Sequence, residues 1–475
     1  MKKRNTYIIW LIAAAMLLLL PFVFAQAEDG WFVNDGAGGL LPRLFDGVYA
    51  IGDGGTAPIL PGDVYVLTGN GLQQLGSAGA VGGGGLVYDD HTIPVVSNTV
   101  RVGLNYYYSA SRDSGVASAV LEVSSGGFSF GHYDSSGEFV EDGTTAADRV
   151  TVRPGSQTQI LVADGSGSET CFSAAVSGKD QYLIVRPRSA ELVRYAQRNY
   201  YGDFGFAVLG GGKLTVTNVV DLDHYVMGVC GCEMSESWPV EALKAQSVAA
   251  RTYVQKMIRS SVYHYSCGFD VTADTYCQAY RGTSNVGPNI ISAVQATSNQ
   301  YLTYQDSLID ALYSASDGGA TESNYNVFGN NAHPYLTGVM DPYEAAATLN
   351  PYASWKVTMT PAQLGAKVGL GAVAQVTPTY SDTGNTIKLE LATAAGQKAT
   401  VIRDSCRTVL GLKSIRYTVE KDSSGNFVFS GSGCGHQLGM SQWGAYAMAK
   451  YYYKDYKSIL GFYYTGVGLS FGELK

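Results

Sequence analysis

Apolar and polar positions change their period along this chain, and the changes mark out its elements. From about Asn98 onward short alternating stretches occur, Val100-Arg101-Val102-Gly103-Leu104, Val120-Leu121-Glu122-Val123 and Tyr182-Leu183-Ile184-Val185, each bounded by Gly, Ser and Asp clusters. A period of two between turn residues predicts β-strands, so residues 96–190 read as a β-rich domain. After Trp238-Pro239 the period lengthens: Val240, Leu243, Ala250, Val254 and Met257 recur at three- and four-residue steps. This is one apolar helical face that runs to Ser260-Ser261. Pro239 suits its first turn, where the missing N–H would be unpaired anyway. Lys244 and Arg251 lie one above the other beside that seam. A second helix is predicted over Met440 to Tyr453, directly after a Gly-rich turn.

The flanks are of other kinds. Met1, Lys2, Lys3 and Arg4 precede an apolar run from Tyr7 to Leu20 that resumes after Pro21 and ends at Ala25-Gln26-Ala27. Residues 1–27 therefore read as a signal peptide or an N-terminal anchor, and either predicts an extracytoplasmic chain. Residues 28–95 are rich in Gly and poor in charge and read as a linker or irregular segment. Residues 191–475 remain as the domain that carries the long helix. The expected fold is α+β: mixed β-structure packed with a long helix, a groove near the helix N-terminus, and a β-rich segment before it.

Composition narrows the function. With 46% hydrophobic and 15% charged residues among 475, the chain has ample material for a core. Its net charge of −8 and the absence of basic runs beyond the first residues exclude a nucleic-acid binder. Seven cysteines are too few for a disulfide scaffold in so long a chain, although some could pair after export.

Three segments concentrate polar residues and Gly. In Gly228-Val229-Cys230-Gly231-Cys232-Glu233-Met234 a carboxylate lies among small and apolar residues. Desolvation there would make Glu233 a usable general acid near neutral pH. The alternative is a carboxylate placed near a positive helix end, where it stabilises the fold electrostatically. In Tyr313-Ser314-Ala315-Ser316-Asp317-Gly318-Gly319 the paired glycines let a backbone approach a ligand closely, or simply turn the chain. In Gly431-Ser432-Gly433-Cys434-Gly435-His436-Gln437-Leu438-Gly439-Met440-Ser441-Gln442 the G-x-G-x-x-G register fails, so nucleotide binding is rejected. His436 there is a substrate hydrogen-bond donor or a satisfied structural histidine. Tyrosine is abundant, 34 against 16 Phe and 5 Trp, which suits stacking on sugars as well as ordinary packing.

In this order the three segments resemble the stage II sporulation protein D family of cell-wall glycan lyases and its relatives, the amidase-enhancer domains. The matching pieces are Asp223-His224-Tyr225-Val226-Met227-Gly228 with Glu233-Met234, and Ser237-Trp238-Pro239 through Arg251-Thr252-Tyr253. Ser316-Asp317-Gly318-Gly319 with Thr321-Glu322, and Gly435-His436 with Gly439-Met440-Ser441-Gln442-Trp443, complete the set. The resemblance implies a lytic transglycosylase, a lyase of sporulation or wall remodelling that acts on peptidoglycan strands stripped of stem peptides. It implies Glu233 as the catalytic acid and Lys244, Arg251, Tyr253, Ser316, His436 and Gln442 as substrate-binding residues. No cofactor is required. A non-catalytic peptidoglycan-binding module that enhances a wall amidase is the other function it implies, with that amidase as partner. Some members hold zinc through Cys and His-Cys, but here Val271 and Tyr276 replace two of those ligands beside Cys277. His264 and Cys267 lie nearby, so a rearranged zinc site or a Cys267 to Cys277 disulfide both stay open. Cys230, Cys232 and Cys434 stand where the family has other residues, and a pairing among them would make the site redox-sensitive.

Overall fold

The computed structural model describes residues 85–473 apart from 88–91, 96, 106–114, 135, 157–158, 173–182, 209–211, 260–267 and 330–331, plus the backbone alone of the remaining strand and helix residues between 30 and 474. The expected signal or anchor segment, His264 and Cys267 lie outside the described residues. The Gly-rich lead-in, expected as a linker or irregular segment, instead pairs Leu40–Pro42, Gly30–Asn34, Val64–Thr68 and Gly71–Gly76 in that order as a four-stranded antiparallel sheet. Among the described residues no helix is long and apolar enough to cross a membrane.

The chain divides into two compact units. The first comprises Asp89–Ala311 with Leu469–Lys475, and the second comprises Leu312–Gly468 with Met1–Tyr88. Both mix sheets and helices, so the architecture is α+β as the pattern predicts.

The first unit is built on a seven-stranded sheet. Its spatial order is Val271–Thr272, Thr99–Gly103, Lys213–Asp221, Asp203–Leu209, Leu183–Pro187, Phe128–Tyr133 and Phe139–Thr145. Lys213–Asp221 lies inside the sheet and is buried on both faces, polar Thr215, Thr217 and Asn218 included. This sheet overturns the expected domain break between residues 190 and 191. Leu183–Pro187 pairs with Asp203–Leu209 in the register Leu183↔Phe206, and Arg194 pairs with Glu122 in a neighbouring six-stranded sheet. Strands from both sides of the expected break share their hydrogen bonds, so the β-rich segment and the start of the helical segment are one body.

Three helices complete this unit: α1 (Leu222–Glu233), α2 (Val240–Ser260) and α3 (Pro288–Ala296). The long helix falls where its periodicity places it. It is more deeply buried than one apolar face implies, because Gln246, Ser247, Arg251, Thr252 and Gln255 are inside with the alanines, Leu243 and Val254. The two hydroxyls are satisfied locally: Ser247 Oγ donates to Leu243 O at 2.7 Å and Thr252 Oγ1 to Val248 O at 2.7 Å.

The second unit holds two three-stranded sheets, Trp355–Met359 with Phe427–Gly431 and Tyr417–Lys421, and Val373–Tyr380 with Thr386–Thr393 and Lys398–Ile402. Trp355, Leu364, Leu389, Leu391, Phe427 and Phe429 belong to its core. The predicted C-terminal helix covers Gln442–Tyr451, with Ser441 as its N-cap.

Candidate functional site

Glu233 owes its position to α1, a helix the hydrophobic pattern did not reveal. Asp221 starts it: the carboxylate accepts from Asp223 N at 2.9 Å and His224 N at 3.3 Å. Gly228 and Gly231 then let the 280–285 segment lie against the helix. A Cβ on Gly228 would stand 2.5 Å from the Tyr280 ring and 2.7 Å from Gly282 O, and one on Gly231 would stand 2.7 Å from Ser284 O. At Met234 the backbone turns extended and its N–H closes the helix on Cys230 O. Glu233 is thus the last helical residue, half-buried, at the negative end of the helix dipole. With respect to α1 it stands at the opposite end from the one the electrostatic alternative requires, while Gly287, in the depression that Glu233 lines, is the N-cap of α3. A carboxylate beside the terminal carbonyls of α1 receives no stabilisation of its charge from that helix.

Glu233 lines an open depression of about 630 Å³ with Gly231, Cys232, Met234, Ser235, Glu236, Asn285, Val286 and Gly287. Glu236 is the second carboxylate of that wall. It is tied to the start of α3, accepting from Asn289 N at 2.7 Å and Ile290 N at 3.1 Å. Asn285 Nδ2 donates to Gly231 O at 3.3 Å and fixes the facing loop to α1. Behind the wall Tyr225 is fully buried and donates to Gln278 Oε1 at 3.2 Å. Desolvation pushes its phenol well above the usual range.

The other residues expected in this unit lie on α2. Lys244 is half-buried and donates to Glu241 Oε1 at 2.7 Å. Tyr253 is half-buried. Arg251 has no exposed surface and faces the interior. Its guanidinium donates to Asp223 Oδ1 at 2.8 and 3.1 Å and to Val294 O at 3.3 Å, joining α2 to α1 and α3. A side chain so placed positions α1 instead of touching a polymer at the surface.

The cysteines beside Glu233 are free thiols, so the expected pairing is not formed. The reason is helical geometry: residues two apart on a helix do not face each other. Cys230 is buried with its Sγ 3.5 Å from Ser247 Oγ, and burial pushes its thiol up to about 12. Cys232 is half-buried, raised by desolvation and opposed by nearby Arg281. Cys434 and Cys277 are also free. Cys277 accepts from Thr272 N at 3.4 Å, and Val271, at a family ligand position, is a buried strand residue. Among the described residues Cys277 belongs to no group of three or more metal-ligating side chains.

Ser316, His436 and Gln442 lie in the second unit. The short strands Tyr313–Ser314 and Met440–Ser441 run parallel, and Ser316 bridges to Cys434, so the two Gly-rich segments meet. Ser316 is fully buried and its hydroxyl donates to Glu344 Oε1. Gln442 is 5% exposed. His436 is half-buried, and its Nδ1 accepts from Leu438 N at 3.0 Å. Desolvation holds the imidazole down at about 4, with Arg407 adding to this and Asp404 opposing it. The ring is therefore neutral near pH 7. Sequence reasoning missed Asp341 and Glu344, which close on Asp317 from a loop that carries no motif.

Comparison with known proteins places these features. Residues 210–304, which contain α1, α2 and α3, match the family model described as stage II sporulation protein. An uncharacterised protein of Brachyspira hyodysenteriae is 35% identical over 285 residues, covering 57% of this chain and 72% of that protein. The stage II sporulation protein D of Bacillus subtilis is 30% identical over 268 residues, covering 53% and 75%. The amidase enhancer of Bacillus subtilis is 31% identical over 299 residues, but the match spans 40% of its length.

Proposed function

Because this chain belongs to the stage II sporulation protein D family, we propose that it is an exported cell-wall protein that cleaves the glycan strands of peptidoglycan, with Glu233 as acid and base. The observation that carries this reading is the place of Glu233: it ends α1, half-buried, and lines the open depression within the segment that matches the family model.

One carboxyl group suffices for a lytic transglycosylase. Its carboxylic acid protonates the oxygen linking MurNAc to GlcNAc as the bond from the MurNAc anomeric carbon breaks. The carboxylate so formed takes the proton of the same sugar's 6-hydroxyl, and that oxygen bonds to the anomeric carbon to close a 1,6-anhydro ring. The proton is returned to Glu233 and no water is consumed. A hydrolase would need a second carboxylate to activate water or to form a glycosyl intermediate. Digestion of denuded strands followed by mass spectrometry is expected to give anhydro-muramyl ends, with Glu233→Gln slowing their release about 10²- to 10⁴-fold. Reducing MurNAc ends in their place would overturn the chemistry.

A second reading has its own support in the similarity to an amidase enhancer. In it the unit binds the wall and stimulates an amidase without cleaving glycan. It predicts that Glu233→Gln keeps both the stimulation and the retention on purified sacculi.

A further inference from the structure

The second unit contains three carboxylates that the proposed glycan chemistry does not use. Asp317, Asp341 and Glu344 are 0%, 3% and 3% exposed, and a carboxylate oxygen of each lies within 4.8 Å of the others. Two of them are well supplied with donors. Glu344 accepts from Asp317 N at 2.8 Å, Gly318 N at 3.0 Å, Asn350 Nδ2 at 3.1 Å and the hydroxyls of Ser316 and Ser441. Asp341 accepts from Tyr343 N at 2.7 Å, Glu344 N at 3.1 Å and the Tyr463 hydroxyl at 2.6 Å. Those donors satisfy both groups as acceptors.

Asp317 differs. Its Oδ1 accepts from Gly319 N at 2.7 Å, but its Oδ2 is buried and has no hydrogen-bond partner. The side chain has no exposed surface and lies against two other acids. No Lys, Arg or His among the described residues pairs with any of the three. Three buried carboxylates, one with an orphaned oxygen, are strongly disfavoured as unpaired charges, so the group must take up a cation or protons.

We propose that Asp317, Asp341 and Glu344 hold a hard divalent cation, Ca²⁺ in preference to Mg²⁺, in the interior of the second unit. The donor set is all oxygen, which selects hard cations over zinc or copper. The spacing permits a shared ion: the three oxygens lie within 4.8 Å of one another, and two ligands of one Ca²⁺ at about 2.4 Å can be no farther apart than about 4.8 Å. The hydroxyls of Ser316, Ser441 and Tyr463 give their protons to the carboxylates, and the Ser316 and Ser441 oxygens accept from Asn350 Nδ2 and Gly444 N at 3.1 Å, so the carboxylates are the ligands the site supplies. Mg²⁺ usually retains several waters, and so enclosed a site favours the ion that sheds them more readily. The ion would join the Ser316-Asp317-Gly318-Gly319 turn, the Asp341–Glu344 loop and the N-cap of the Gln442–Tyr451 helix. This inference is independent of the glycan reading, because no Glu233 chemistry enters it.

The test is made on the full chain after treatment with a chelator. Ca²⁺ at about 100 times its Kd is expected to raise Tm by about 5 °C or more, with a smaller rise from Mg²⁺ at the same concentration. Tb³⁺ should give luminescence sensitised by the Tyr463 ring, and Ca²⁺ should displace it. Asp317→Asn should lose both responses while its metal-free form melts no lower than the metal-free wild type, because the amide relieves the buried repulsion. Should that variant not fold, the wild-type titrations decide alone. Unchanged Tm with every cation and no saturable Tb³⁺ signal would overturn the proposal, and would assign the missing positive charge to protons.

Discussion

At the scale of single residues, environment decides which of several similar groups can act. Glu233 and Glu236 are three positions apart in one wall, and Glu236 is held by the N–H groups that start α3. Cys230 and Cys232 are two apart, and only Cys230 is sealed from solvent with its thiol held at about 12. In native protein Cys230 should therefore resist alkylation while Cys232 reacts slowly, which peptide mapping after iodoacetamide would reveal; labelling of Cys230 at the rate of Cys232 would contradict the packing. His436 provides a pH signature. Its folded pKa of about 4 lies below the ordinary 6.5, so the unfolded chain takes up the proton first. Its contribution to stability is complete above 6.5 and is lost as pH falls toward 4. Relative to His436→Gln, the wild type should lose stability across that window in urea melts, and parallel profiles for the two would refute the assignment. Glu233 and His436 were legible in the sequence because motifs surround them. The burial of Arg251 was not, since a charged residue beside a helical seam reads the same whether its partner is solvent or Asp223 of another helix.

At the scale of elements, α1 is what the site depends on. Asp221→Ala should cost about 1 kcal/mol through the lost N-cap. Gly228→Ala should cost about 1–3 kcal/mol because its Cβ meets a ring and a carbonyl at close range. Asp223→Ala should cost more, about 3–5 kcal/mol, because it leaves the Arg251 charge buried and unpaired. Chemical denaturation measures all three, and their order is the prediction. The long helix was legible, since Pro239 marks its entry and apolar residues keep its period. α1 was not, because eight of its twelve residues are buried and two glycines interrupt it, so no polar face sets off an apolar one. The strands near Val100, Val120 and Leu183 were found by their alternation, but alternation carries no information about which strand pairs with which.

At the scale of the whole molecule, sheet topology corrects the division expected from composition. Thr99–Gly103 and Leu183–Pro187 flank the strand pair that carries α1, so the β-rich segment is part of the unit that holds Glu233. A fragment of residues 191–475 should therefore fail to fold its Glu233 unit cooperatively, as judged by near-UV circular dichroism and melting, whereas an independent β-rich domain would leave that fragment intact. The Asp317, Asp341 and Glu344 group likewise exists only in the fold, with 27 residues separating its first and last members. The central claim is that Glu233 is the single acid and base of a glycan-cleaving centre, and the most direct measurement is the product ends from denuded peptidoglycan strands treated with wild type and Glu233→Gln. Anhydro-muramyl ends that appear with the wild type and fall about 10²- to 10⁴-fold in the variant are the predicted result; equal release by both proteins, or none by either, would contradict it.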